Sequence, residues 1–137
     1  MLPIGELSRQ TGVKIPTIRY YEQMKLITAP ERSAGNQRRY SRTELSRLSF
    51  IKHARDLGLS IEDIRELLTL SAQPDMPCAE ANRIATNHLS TVRERIAQLQ
   101  SLEAELARMS TCTADNIKNC YVIESLSNHA LCAKNHP

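Results

Sequence analysis

Apolar residues near the start of the chain recur with helical spacing and predict a pair of short helices. The first is predicted over Ile4–Gln10, where Ile4 and Leu7 share one face, and the second over Ile15–Met24. Thr11-Gly12-Val13 lies between them and is typical of a tight turn, because glycine adopts backbone angles that other residues avoid. Two helices joined in this way are the arrangement of a helix-turn-helix.

Two more helices are predicted from serine residues at cap positions. Ser41-Arg42-Thr43-Glu44 has the spacing of a capping box and begins a helix that Gly58 is expected to end. Ser60 begins another helix, which runs to about Leu70. The stretch Ala29–Tyr40 in front of them is rich in turn residues and then basic, which predicts a β-hairpin wing.

The longest regular pattern covers Ala79–Met109 and predicts one long helix with a single apolar stripe. Its apolar residues recur at spacings of mostly three and four: Ile84, Ala85, Leu89, Val92, Ile96, Leu99, Leu102, Leu106 and Met109. A helix of this length exceeds what the small N-terminal part can cover, so we expect it to pair with a second copy in a coiled coil. The alternative is a helix that folds back on its own domain. The predicted fold class is therefore mainly α.

Basic side chains are concentrated in the first half of the chain. Residues 9–55 carry eleven Lys and Arg against three acids, whereas residues 71–137 carry six basic and seven acidic side chains. This distribution predicts a polyanionic partner for the first half only. The side chains expected to reach base edges, phosphates and sugars of DNA are Lys14, Thr17, Arg19, Tyr20 and Tyr21 on the second helix, Arg38, Arg39 and Tyr40 on the wing, and Arg55 beyond it.

The sequence also limits the class of protein and its compartment. No run of about 18 apolar residues is present, which predicts no membrane span. The first residues lack the features of a signal peptide, so we expect a cytoplasmic protein with reduced thiols, whose four cysteines favour metal ligands or sensors over disulfides. A glycine-rich phosphate loop and a nucleophile–base set are absent from the sequence, which argues against an enzyme.

Several segments, in order, resemble the signature of the MerR family of transcription regulators. They are Ile4-Gly5-Glu6-Leu7, Thr17-Ile18-Arg19-Tyr20-Tyr21-Glu22, Gly35-Asn36 with Arg38-Arg39-Tyr40, and Phe50-Ile51-Lys52-His53-Ala54-Arg55-Asp56-Leu57-Gly58. The resemblance covers residues 1 to about 109, and it implies a winged helix-turn-helix, an antiparallel coiled-coil homodimer and an effector site near the C-terminus. Two positions depart from the pattern: Lys25 stands where the family usually has glycine, and Gln37 where an aromatic residue is common.

The resemblance also implies a mechanism. Such regulators bind double-stranded promoter DNA between promoter elements that are spaced too far apart for RNA polymerase. When the effector binds, the dimer bends and untwists the DNA so that the elements realign, and activation works through DNA deformation. The resemblance further suggests that the effector-free form represses.

Cysteines flank the predicted long helix. Cys78 precedes it and Cys112 follows it, and a helix of about 31 residues spans roughly 46 Å, so these two thiols cannot meet within one chain. In an antiparallel dimer, Cys78 of one subunit lies beside Cys112 of the other. Cys120 can return to the same point on a loop that Asp115, Asn116 and Asn119 make prone to turns. This geometry predicts a three-thiolate site across the dimer.

Three thiolates favour a soft divalent ion, namely Zn, Cd, Pb or Hg, as the effector. The resemblance agrees, since a cysteine at the position of Cys78 marks the divalent-metal branch of the family and the segment Cys120–Leu126 looks like the zinc, cadmium and lead group. Cys112-Thr113 lacks the adjacent cysteine pair of typical zinc sensors. Further possible ligands are His88 on the long helix, and His129 and Cys132 in the tail.

Two alternatives of the same architecture stay open. A Cu(I) sensor needs only the pair Cys112 and Cys120, and the same pair is suited to a disulfide switch that senses oxidants. The organisation predicted from the sequence is a winged helix-turn-helix over residues 1–70, a linker over 71–78, a dimerisation helix over 79–109, and a metal-binding loop with a tail over 110–137.

Overall fold

The architecture is taken from a computed structural model that describes residues 1–28, 39–111, 113 and 115–128. The elements in chain order are β1 (Leu2–Pro3), α1 (Ile4–Thr11), α2 (Ile15–Gln23), β2 (Arg39–Tyr40), α3 (Arg42–Asp56), α4 (Ile61–Ser71), α5 (Ala79–Met109), a 3-10 turn (Ile117–Asn119) and α6 (Tyr121–Ser127). The chain divides into two compact units, Met1–Ala81 and Asn82–Pro137. The prediction of a mainly helical protein with an N-terminal helix-turn-helix is confirmed.

The first unit is built around α1, which contacts both α2 and α3. Its core contains the fully buried side chains of Leu7, Ile18, Leu26, Tyr40, Leu48, Ile51 and Ile64. The predicted turn between α1 and α2 depends on Gly12, whose φ of 73° lies in the left-handed region. The Gly12 amide donates to the carbonyl of Ser8 at 2.9 Å, which closes the end of α1.

Both predicted serine caps are present. The Ser41 hydroxyl accepts a hydrogen bond from the Glu44 amide at 3.3 Å and begins α3. The Ser60 hydroxyl accepts from the Asp63 amide at 3.1 Å and begins α4. Each bond satisfies one of the amides that the first turn of a helix leaves unpaired. The cap residues therefore predicted the first residue of both helices closely.

The ends of α2 and α3 have the same Schellman geometry but different residues at the left-handed position. After α2, Lys25 has a φ of 60°, and the Leu26 amide donates to the carbonyl of Tyr21 at 2.9 Å. After α3, Gly58 has a φ of 86°, and the Leu59 amide donates to the carbonyl of Ala54 at 3.1 Å. Lys25 therefore adopts the left-handed conformation for which glycine is usual at the end of a helix.

A two-stranded antiparallel sheet joins the start of the chain to the residues that follow the wing. Leu2 lies opposite Tyr40, and Pro3 lies opposite Arg39. The sequence predicted a hairpin over Ala29–Tyr40, and most of that stretch, residues 29–38, lies outside the described residues. The described end of the stretch pairs with β1, a partner that the sequence analysis did not predict.

The second unit contains most of α5, whose bounds, Ala79–Met109, match the predicted helix. Five apolar side chains of its stripe are exposed by 36–63%: Leu89, Val92, Ile96, Leu99 and Leu106. The 3-10 turn and α6 after it were not predicted. Among the described residues, no helix is long and apolar enough to cross a membrane.

Candidate DNA-binding surface and metal centre

The buried side of α2 determines which of its side chains face outward. Ile18 and Tyr21 are 0% and 7% exposed, so they fix the inner face of the helix. Arg19, Tyr20 and Gln23 are exposed, and their spacing of one, three and four residues puts them on one outer face. Arg19 and Tyr20 were predicted to contact DNA. Gln23 was not among the predicted contacts, although it lies one turn after Arg19 and Tyr20 on the same exposed face.

Lys14 and Thr17 lie at the N-terminal end of α2. Lys14 is the exposed residue just before the helix, with extended φ and ψ of −64° and 145°, and Thr17 is half-buried. The first turn of α2 contains no acidic residue. The positive end of the helix dipole and the lysine charge are therefore both available to a phosphate at this end.

Two of the predicted DNA contacts belong to the core. Tyr40 is fully buried and its hydroxyl donates a hydrogen bond to Glu22, and Tyr21 packs inward with its ring centroid 5.9 Å from that of Tyr20. The prediction that these two side chains contact DNA is therefore corrected. An aromatic ring next to arginines suggests a stacking surface in a sequence, but here both rings lie in the interior of the unit.

The described residues on both sides of the predicted wing have defined contacts or neighbours. At its start, the Glu44 carboxylate accepts a hydrogen bond from the Thr28 amide at 3.2 Å, and Arg47 Nε donates to the carbonyl of Leu26. At its end, Arg39 is half-buried next to Tyr40 in β2. Successive residues of a strand point to opposite faces, so the inward Tyr40 directs Arg39 outward. Arg38, the other predicted wing contact, lies outside the described residues.

Several basic side chains of this unit have defined neighbours. Arg55 is exposed and donates from Nη1 to the carbonyl of Leu59 at 2.8 Å, which holds the guanidinium over the turn after α3. Lys52 pairs with Asp56 at 2.7 Å. Hydrogen bonds from Arg9 and Gln10 lower the pKa of Glu6 to about 2, so that carboxylate offsets the charge of Arg9. Lys52 and Arg9 therefore add little positive potential to the surface, because each is paired with a carboxylate.

The predicted thiolate ligands lie on both sides of α5. Cys78 is exposed in the turn just before the helix, and Cys120 is half-buried just before α6. The Cys120 amide donates to the carbonyl of Ile117 at 3.1 Å and its carbonyl accepts from the Glu124 amide at 3.0 Å, so its backbone is fixed from both sides. Thiols at these points fit a soft metal by the chemistry of their sulfur donors.

The remaining candidate ligands are less defined. Cys112, His129 and Cys132 lie outside the described residues, and His88 is half-buried on α5. Within the described part of one chain, no three His, Cys, Asp or Glu side chains come together in a way that could hold a metal ion. The three-thiolate site accordingly stays a prediction.

Comparison with known families gives two matches that together span most of the described elements. A family model described as "MerR HTH family regulatory protein" matches residues 2–70, and a second described as "MerR, DNA binding" matches residues 45–109. The first covers β1 through α4, and the second runs from α3 to the end of α5.

Individual relatives cover almost the whole chain. The transcriptional regulator ZntR of Escherichia coli K12 is 40% identical over 134 residues, which are 95% of each chain. The solved structure of PbrR691 from Ralstonia metallidurans CH34 in complex with lead(II) is 35% identical, with a TM-score of 0.77 over 92% of this chain and 99% of that one. The mercury(II) complex of MerR from Bacillus megaterium MB1 is 28% identical, with a TM-score of 0.69 over 93% and 100%.

Proposed function

Because the chain belongs to the MerR family of DNA-binding transcriptional regulators, we propose that it is a homodimer that controls a promoter in response to a soft divalent metal ion. It is a metal-responsive transcriptional regulator and not an enzyme, as the sequence predicted. In the proposal, residues 1–70 bind DNA, residues 79–109 dimerise, and residues 110–137 contribute to the metal site. The identity of the metal, the ligand set and the role of RNA polymerase belong to the proposal.

The DNA-binding part of the proposal is supported by the burial pattern of α2. Its outer face carries Arg19 and Tyr20, and a second helix of this kind inserts such a face into the major groove. Lys14, Arg39 and Arg55 flank that face, and we assign them to phosphates, which fix the register of the protein on the duplex.

Arg19→Ala tests this assignment. A specific arginine contact contributes about 1–3 kcal/mol, so operator affinity should fall by about 5-fold to 150-fold, whereas metal affinity should not change. The duplex is one selected from random sequence by the wild-type protein, and binding is measured by fluorescence anisotropy. Arg93→Ala removes the same charge from the exposed surface of α5 and is the matched control. Equal losses in both variants would contradict a specific role for Arg19.

The dimerisation part is supported by the apolar stripe of α5, whose exposed members recur at coiled-coil spacing. The helix is continuous over 31 residues, or about 46 Å. Pairing this stripe with that of a second copy would remove it from water. In an antiparallel pair, the start of one α5 lies at the end of the other.

The metal-binding part combines that geometry with the positions of the thiols. We assign the ion to Cys78 of one subunit together with Cys112 and Cys120 of the other. Three thiolates and a divalent ion leave one negative charge at the site, which favours Zn, Cd, Pb or Hg over a monovalent ion. The lead(II) and mercury(II) complexes of the two solved relatives support this class of effector.

The ion, when bound, supplies the bonds that tie the two subunits together at that end of α5. We propose that this changes the relative placement of the two DNA-binding units, so that the dimer bends and untwists the promoter and brings its elements into register for RNA polymerase. Cys112→Ser should then abolish metal-induced transcription in vitro and leave operator affinity largely unchanged. Loss of operator binding in this variant would contradict the separation of the two roles.

Mixed dimers test the ligand set directly. Cys78→Ser and Cys112→Ser homodimers should each bind Cd(II) weakly, as followed anaerobically by thiolate-to-metal charge transfer in competition with a chelator. A heterodimer of the two variants contains one intact site if the ligands come from both subunits, so it should recover one tight ion per dimer. A site built within one subunit gives no recovery. Cys132→Ser is the control, and unchanged affinity there places the tail outside the site.

The same titration decides between the alternatives. Tight Cu(I) binding that Cys78→Ser does not weaken would assign the protein to copper, since the pair Cys112 and Cys120 suffices for that ion. Absence of tight binding by any metal, together with a peroxide-induced disulfide between Cys112 and Cys120, would assign it to thiol-based redox sensing.

A further inference from the structure

A hydrogen bond joins the DNA-binding helix to the strand that ends the wing. The hydroxyl of Tyr40 in β2 donates to a carboxylate oxygen of Glu22 in the last turn of α2. Tyr40 is fully buried, and Glu22 is half-buried one turn after the core residue Ile18. A hydrogen bond from a hydroxyl to a carboxylate at a part-buried position is stronger and more directional than a hydrogen bond between neutral groups.

The backbone contributes little to holding β2 in place. The sheet pairs only two residues of each strand, with Leu2 opposite Tyr40 and Pro3 opposite Arg39. Pro3 has no amide hydrogen and cannot donate to its partner strand. Two-stranded pairings of this size are not stable alone, so the buried side chain of Tyr40 is the main anchor of β2.

The bond connects two side chains that we assign to DNA. Tyr40 points inward, which directs its neighbour Arg39 outward on the opposite face of the strand. Glu22 lies one turn after Arg19 on α2. We propose that Glu22 and Tyr40 are positioning residues, which hold β2 in a fixed orientation relative to α2 so that Arg39 and Arg19 meet the duplex together. This inference rests on the proposed function, because it requires that both elements bind DNA.

Tyr40→Phe is the direct test, since it removes the hydroxyl and keeps the buried ring. Without the bond, β2 samples other orientations in the free protein and must be ordered on binding, so operator affinity should fall by about tenfold, the equivalent of one hydrogen bond to a charged group. If the phosphate contact of Arg39 is lost, the slope of log affinity against log salt concentration should become shallower by about 1. A purely structural role does not change that slope.

Two further variants separate positioning from stability. Glu22→Gln keeps an acceptor for the hydroxyl and should retain most of the affinity, whereas Glu22→Ala should behave like Tyr40→Phe. Ile64→Val removes one methyl group from a fully buried position on α4, which belongs to neither α2 nor β2, and lowers stability. It should leave both the affinity and the salt slope unchanged. Equal effects of Ile64→Val and Tyr40→Phe would overturn the proposal.

A measurement without DNA completes the test. In the whole 137-residue chain, Tyr40→Phe should speed amide hydrogen exchange at Arg39 and Tyr40 and leave exchange in α4 unchanged. Wild-type affinity, salt slope and exchange in Tyr40→Phe would overturn the positioning role while the proposed function stands. Failure of the wild-type protein to select any duplex would instead overturn the proposed function, and faster exchange in the variant would still report the bond between β2 and α2.

Discussion

At the scale of single residues, Lys25 is a position where the residue type disfavours the backbone conformation that it adopts. Its φ of 60° is one that costs a non-glycine residue about 1–2 kcal/mol. Glycine loses about 0.5–1 kcal/mol more in chain entropy on folding than other residues do, which cancels part of that cost. Lys25→Gly should therefore raise the free energy of unfolding by about 0.5–1 kcal/mol, measured by urea denaturation at fixed protein concentration.

Controls for Lys25→Gly come from the chain itself. Lys25→Ala removes the charge and keeps the strained backbone, so it should change the stability little. Gly58→Ala introduces a side chain at a φ of 86° in the equivalent turn after α3, and it should lower the free energy of unfolding by about 1 kcal/mol. A gain in Lys25→Ala as large as that in Lys25→Gly would assign the effect to charge instead of backbone conformation.

The residue scale also shows where sequence reasoning fails. Arg19 and Tyr20 lie on an exposed surface, opposite the face defined by the helical period of Ile15 and Ile18, and their contact with DNA stays a prediction. Tyr21 and Tyr40 were assigned to DNA, but they are buried. The difference depends on packing against elements distant in sequence, and a tyrosine is equally suited to a core with a hydrogen-bond partner and to a DNA surface.

At the scale of elements, helix starts were predictable because their signals are local. Ser60 begins α4 through one hydrogen bond to the Asp63 amide at 3.1 Å. Ser60→Ala leaves that amide without its side-chain partner and should lower the free energy of unfolding by about 1 kcal/mol. The measurement is again urea denaturation at fixed protein concentration.

Two substitutions check this prediction. Ser60→Asp retains a cap acceptor and adds a charge favoured at a helix N-terminus, so it should keep the wild-type stability. Ser46→Ala changes an exposed serine inside α3 and should be neutral or slightly stabilising, because alanine has the higher helix propensity. A similar loss in Ser46→Ala and Ser60→Ala would exclude capping as the cause.

Strands β1 and β2 mark the limit of prediction for elements. Each is two residues long, and the two strands, which pair with each other, lie far apart in the sequence. Period-two patterning needs more residues than this to be recognised. α6 was missed for a related reason, since a helix of seven residues offers only two turns of periodicity.

At the scale of the whole molecule, the exposed stripe of α5 predicts the oligomeric state. Leu99 is 63% exposed in the single chain and lies in the middle of the stripe. Leu99→Glu would put a charge into the apolar seam of each paired helix, so the dimer dissociation constant should rise at least about tenfold. Sedimentation velocity over a range of protein concentrations measures it.

The neighbouring Gln98 supplies the control. It is exposed but lies off the stripe, so Gln98→Glu adds the same charge and should leave the dimer intact. If both variants dissociate, general charge repulsion and not the apolar seam controls assembly. At this scale the candidate thiols and the stripe were predictable from local spacing, whereas a site shared between two copies depends on how their α5 helices pair.

The contacts around the ends of the predicted wing join residues that are close in the sequence, which affects how the chain folds during its synthesis. The bonds from Thr28 to Glu44, from Tyr40 to Glu22 and from Arg47 to Leu26 span only 16, 18 and 21 residues. Contacts this local form quickly, and chains are synthesised at about 5–20 residues per second, so the DNA-binding unit should fold on the ribosome before α5 has emerged. Refolding should then show a fast phase independent of concentration, followed by a slower one that accelerates with concentration as the long helices find each other.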